Sequence, residues 1–170
     1  IKANLKKVYD HGSRANSIVN SMLMHSRGGG GIPEPTLLND FIREYSNLAF
    51  HGMRASKSPV DVQMLLDLDE KVKDVLLIGE DFSRVVLNIC NNAFDAMREK
   101  KKKYEGQNTK YEAGEGGTEN YLPTLSIQTR LEGGNVLIQF EDNALGIPDE
   151  IKDKILQPFF TTKKGTEGTG

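Results

Sequence analysis

The stretch Val85-Val86-Leu87-Asn88-Ile89-Cys90-Asn91-Asn92-Ala93-Phe94-Asp95-Ala96-Met97 decides how this chain reads. It lies inside a helix expected over residues 81–99. At about 100° per residue, Asn88, Asn92 and Asp95 fall at roughly 0°, 40° and −20°, one narrow polar stripe. Val86, Ile89, Ala93, Phe94 and Met97 are expected to point the other way, into a core. Most polar stripes are solvated helix faces. Two properties argue for more here. Asn is a mediocre helix former that rarely gathers mid-helix without a hydrogen-bonding task. Amide and carboxylate oxygens one turn apart also suit a hard cation such as Mg²⁺, with phosphate oxygens and water completing the shell.

On the N-terminal side, Ile1, Leu5, Val8, Gly12, Ala15, Val19 and Met22 alternate in steps of four and three. That is the seam of a helix over residues 1–27 that wants a partner helix. The glycine run and two prolines of residues 28–35 read as a linker. A second helix is expected from Thr36, as N-cap, to Met53, with Leu37, Leu38, Phe41, Ile42, Tyr45 and Leu48 at helical spacing. Val60 to Leu68 alternates as a strand, and Val75 to Ile78 reads as a second strand edge or a turn.

On the C-terminal side, Lys100 to Gly117 is charged and contains glycine, so it reads as a long solvated loop. Strands are expected at Thr124–Leu131 and Val136–Asp142, joined by Glu132-Gly133-Gly134-Asn135 as a hairpin. Pro148 to Leu156 reads as a short helix, and the tail from Gln157 has no pattern. The order implies an α+β chain with helices on one face of a mixed, mostly antiparallel sheet, a two-layer α/β sandwich.

The 170 residues suffice for one domain with a short appendage. Lys plus Arg is 22 against 24 for Asp plus Glu, a net charge of −2, which gives no support for nucleic-acid binding. Cys90 is the single cysteine, so no internal disulfide forms, and a reducing, cytoplasmic setting is expected. No apolar run approaches the roughly 20 residues that span a bilayer. No direct membrane contact is expected from this stretch, although a parent protein can still be anchored.

Two further segments carry chemistry. Asp142-Asn143-Ala144-Leu145-Gly146-Ile147-Pro148 sits where a strand ends. A carboxylate there can accept from an exocyclic amine such as adenine N6, and Gly lets backbone approach a flat ring. By itself this is also an ordinary turn. Pro158 to Gly170 (PFFTTKKGTEGTG) combines glycines, hydroxyls and lysines, as a phosphate-covering lid requires, although a plain C-terminal tail has the same composition. No Walker A pattern is present.

In this order and spacing, the three segments resemble the ATP-binding domain of sensor histidine kinases. That superfamily also holds type II topoisomerases, Hsp90-type chaperones and mismatch-repair ATPases. The resemblance covers roughly residues 36–170. It implies ATP and Mg²⁺ as cofactors, with Asn92 coordinating the metal and Asn88 contacting phosphates or a metal-bound water. Asp95 assists through water, Asp142 accepts from adenine N6, and Gly146 and Ile147 line the base. Thr162, Lys163, Gly168 and Gly170 belong to the lid, anchored by Phe159 and Phe160. The helix at 1–27 resembles the second helix of the dimerisation and phosphoacceptor hairpin, which implies a homodimer. A response-regulator receiver domain is the implied partner.

The pattern departs from the family at three places. Position 144 is Ala where the family has Gly, which motivates an alternative: a nucleotide-binding-impaired pseudokinase or dimerisation module. His11, His25 and His51 lack the flanking pattern of a phosphoacceptor, so the acceptor histidine is expected upstream of Ile1. This stretch alone is then not expected to autophosphorylate. The chain also stops inside the lid motif, so a C-terminally incomplete domain is expected. Hydrolysing members of the superfamily resemble one another in a Glu one turn before the metal-binding Asn. Here Asn88 stands there and cannot take a proton, which favours transfer to histidine over hydrolysis.

Overall fold

The computed structural model describes residues 31–108, 121–155 and 157. Residues 32–146 form one compact unit, and the segment after Gly146 is described by itself. The elements of the first unit are β1 (Glu34–Leu37), α1 (Leu38–Arg54), β2 (Gln63–Leu68), β3 (Asp74–Leu77), α2 (Gly79–Asn108), β4 (Thr124–Glu132) and β5 (Asn135–Asp142). In the second, α3 covers Asp149–Lys152.

Helix α1 buries Leu38, Ile42, Ser46, Ala49 and Met53, a stripe with steps of three and four. It packs on α2, where Phe41 lies 5.6 Å from the Phe82 ring. Helix α2 turns Val86, Cys90, Ala93, Phe94 and Met97 inward, and β4 alternates buried Leu125, Ile127 and Thr129 with half-exposed residues. The buried apolar residues among these belong to one core cluster between a helical layer and a sheet. Burial pushes the Cys90 thiol up to about 11, so it stays protonated and behaves as a small apolar residue.

The three-stranded sheet has the order β2-β4-β5. β2 pairs with β4 in parallel, Gln63 opposite Thr124, and β4 pairs with β5 antiparallel, Leu125 opposite Asp142. Gly133 and Gly134 close the hairpin with φ of 55° and 84°, the left-handed pair that a two-residue turn of this hand requires. β1 and β3 form a separate antiparallel ribbon, Glu34 opposite Leu77. The mixed, mostly antiparallel α+β architecture agrees with the sequence reading.

Several boundaries differ. Thr36 does not cap a helix: it lies in β1, its hydroxyl donates to the Glu34 carbonyl, and α1 starts at Leu38 without a side-chain cap. Pro35 sits in a strand because a two-stranded ribbon tolerates the missing N–H. The stretch 100–108, expected as loop, continues α2. Lys, Glu and Gln are good helix formers, so this charged stretch carries the helix on. Ile89 is 37% exposed and does not join the core. It lies about 100° from Asn88, at the edge of the buried arc. The short helix expected to reach Leu156 spans only Asp149–Lys152 before turning. The seam helix at 1–27 and the tail from residue 158 lie outside the described residues.

A polar network fastens α1 to the sheet. The buried Thr129 hydroxyl donates to Asn39 Oδ1 at 2.9 Å and accepts from the Asp69 N–H at 3.0 Å. Asn39 Nδ2 in turn donates to the Asp69 carbonyl at 2.9 Å. The Asp69 carboxylate accepts the N–H groups of Lys71 at 2.9 Å and Leu131 at 3.2 Å, which hold its pKa below the ordinary 3.8.

Candidate nucleotide site

Two neighbouring places in the first unit carry the candidate residues: the exposed face of α2 and the turn that leaves β5. On α2, Asn88 and Asn92 are exposed and Asp95 is half-buried, so the stripe lies opposite Val86, Cys90, Ala93, Phe94 and Met97. Asp95 Oδ1 pairs with Arg98 Nη1, and Arg98 Nε donates to the Ser58 carbonyl at 2.8 Å. Asp95 thus helps tie α2 to the loop after α1 as well as sharing the stripe. The amide oxygens of Asn88 and Asn92 are the hard donors that Mg²⁺ prefers, and their exposure leaves room for phosphate oxygens and water. Among the described residues, no three or more His, Cys, Asp or Glu side chains gather into a cage.

At the end of β5, the exposed Asp142 uses Oδ1 to accept the Ala144 N–H at 2.9 Å. This turn within the chain fixes the carboxylate direction. Asn143 extends the β4–β5 ladder with its side chain: Oδ1 accepts the Thr124 N–H at 2.9 Å, and Nδ2 donates to the Leu122 carbonyl at 2.8 Å. Its own N–H reaches the Thr124 carbonyl at 3.2 Å. Gly146 takes φ of 72°, and a Cβ built there would meet nothing within 4 Å, so its glycine is required by backbone hand, not by crowding. Ala144, where the family pattern has Gly, is half-buried and packs its methyl against the core. Ile147, the next residue after Gly146, is half-exposed.

Three supporting residues escaped the sequence reading: Lys100, Tyr121 and Asn143. Lys100 Nζ donates to the Asn143 carbonyl at 2.5 Å and lies 4.3 Å from the Tyr121 ring centroid. Tyr104 stacks on Tyr121 at 6.0 Å. The Tyr121 hydroxyl is buried without a partner among the described residues. Burial first, then the nearby Asp142 charge and Tyr104, push that phenol up to about 12. Asn143 was findable, because an Asn beside a turn carboxylate is a backbone mimic. Lys100 and Tyr121 are 21 positions apart with nothing between them to betray the contact. Thr162, Lys163, Gly168 and Gly170, with Phe159 and Phe160, lie outside the described residues.

Residues 78–170, from the turn before α2 through the glycine-rich tail, match the family described as histidine kinase-, DNA gyrase B- and HSP90-like ATPase. The chain belongs to this family. As a histidine kinase-type ATPase domain it is an ATP-binding fold. Sensor kinase CckA of Brucella abortus (strain 2308) is 29% identical over 167 residues, which are 98% of this chain and 16% of that protein. Sporulation kinase E of Bacillus subtilis (strain 168) is 24% identical over 157 residues, 92% of this chain and 18% of that protein. The chain thus spans less than a fifth of the length of these relatives. Among the described residues, no helix is long and apolar enough to cross a membrane.

Proposed function

We propose that this chain is the catalytic, ATP-binding part of a two-component sensor histidine kinase. In that role it delivers the ATP γ-phosphate to a histidine outside this stretch, for relay to the receiver domain of a response regulator. Residues 1–27 would supply one helix of the dimerisation hairpin, 28–35 a link whose last residues already pair into β1, and 36–170 the catalytic domain. A cytoplasmic setting goes with this role. The observation that carries the reading is the Asn88–Asn92–Asp95 stripe on the face of α2, with the Asp142 turn built against the same helix.

Asn92 is the residue that would hold Mg²⁺, which when bound neutralises phosphate charge. Asn88 would contact a phosphate or a metal-bound water, and Asp95 would orient that water. Asp142 would accept from the base amine, with the backbone of Gly146 and the side chain of Ile147 beside the ring. Thr162, Lys163, Gly168 and Gly170 would close over the phosphates. These residues bind, orient and neutralise, which is most of what phosphoryl transfer needs from a protein. Asn88 has no basic oxygen to activate water, so transfer is favoured over hydrolysis.

Calorimetric titration with Mg²⁺ and a non-hydrolysable ATP analogue tests the reading, on this chain and on Ala144→Gly. Binding by the chain as it stands is expected, because the Ala144 methyl is accommodated in packing rather than left in a cleft. Binding by the glycine variant alone would instead favour the nucleotide-impaired module. Binding by neither would remove the nucleotide site from this chain.

A further inference from the structure

The turn that carries Asp142 is fastened on two sides. The sheet side is held by Asn143, whose side chain and N–H make the three bonds to Leu122 and Thr124. The helix side is held by Lys100, whose ammonium donates to the Asn143 carbonyl at 2.5 Å. That ammonium is itself placed: it lies 4.3 Å from the Tyr121 centroid and 6.0 Å from that of Tyr104, two rings stacked at an interplanar angle of 19°. An aromatic pair beneath a lysine restricts a side chain that otherwise samples many rotamers.

Lys100 and Asn92 sit on one helix, eight residues apart in sequence, which is about 12 Å of helix rise. The element that carries the candidate metal ligand therefore also carries the anchor of the candidate base turn. Asp142 Oδ1 is already engaged by the Ala144 N–H, so the direction of the whole carboxylate follows the Asn143–Ala144 backbone.

We propose that Lys100 is a positioning residue for base recognition: by holding the Asn143 carbonyl it sets the Asp142 carboxylate relative to α2, without touching the nucleotide itself. The inference rests on the assignment of Asp142 to the adenine amine. Losing the ammonium leaves an exposed carbonyl that water can satisfy, so the fold survives while the turn loosens.

The test uses this 170-residue chain, with Kd for Mg²⁺ and a non-hydrolysable ATP analogue read by calorimetry and folding read by thermal melting. Lys100→Met is expected to weaken binding about tenfold with the melting temperature little changed. Lys100→Arg, which keeps a donor and a cation, restores most of the affinity. Lys102→Met, exposed on the same helix, changes nothing. Asp142→Asn weakens binding, and adding Lys100→Met to it costs less than about twofold more, because the two act through one contact.

Wild-type affinity in Lys100→Met, with Asp142→Asn weakened, overturns the inference and leaves the base assignment standing. So does full additivity of the two changes, or a melting temperature that falls in step with affinity. Unchanged binding in Asp142→Asn, or no binding by the unaltered chain, overturns the base assignment and the inference with it.

Discussion

An amide and a carboxylate differ by one charge, and the metal role proposed for Asn92 makes that charge matter. In the proposed site, Asn92→Asp would keep an oxygen in reach of a cation but set a negative group beside phosphates. We expect Mg²⁺-dependent affinity for an ATP analogue to fall by about tenfold; undiminished calorimetric affinity would take Asn92 out of the site. Asp69 shows a different residue-scale effect. Its carboxyl is held below 3.8 by two backbone N–H groups, so its ionised form is preferred in the folded chain. A depressed folded pKa contributes stability that is present above the unfolded value and lost as pH falls through the folded one. Asp69→Asn should therefore flatten the acid limb of the stability curve below about pH 4 and leave its shape at neutral pH alone. Urea midpoints taken across that range check this, and an unchanged acid limb would refute it.

At the scale of elements, the β4–β5 hairpin was readable because its turn chemistry is local. Gly133 and Gly134 have open space where a Cβ would stand, so only backbone hand demands glycine. Gly134→Ala is expected to cost about 1–2 kcal/mol, and Gly133→Asn less, since Asn tolerates the left-handed region. Denaturant titration measures both; equal costs for the two would point to packing instead. Helix α2 was readable only in its first twenty residues or so. Beyond Glu99 its charged residues carry no apolar period, and the helix persists through intrinsic propensity and the Lys100–Tyr104–Tyr121 cluster. β1 was hidden for a related reason. A strand of four residues with a proline has no period of its own, and exists because β3 supplies its partners.

At the scale of the whole molecule, the seam of residues 1–27 predicts self-association. Sedimentation at about tens of micromolar should find a dimer for this chain and a monomer once residues 1–27 are removed. A monomer in both cases would set the seam aside. The family match extends through the glycine-rich tail, and the two kinase relatives align over nearly the whole chain, so this association bears on the same proposed machine.

The sequence by itself determined the family, the α+β class and the polar stripe of α2, because a stripe, a hairpin turn and a glycine-rich motif are properties of neighbours along the chain. It could also place Asp142 at a strand end. It could not show that the Ala144 methyl packs against the core or that Lys100 grips the Asn143 carbonyl. Those contacts depend on where α2 lies against the end of β5. That placement is made by burial of Phe94, Met97, Leu125 and Ile127 in one core, a property of the packed chain and not of any short stretch of it.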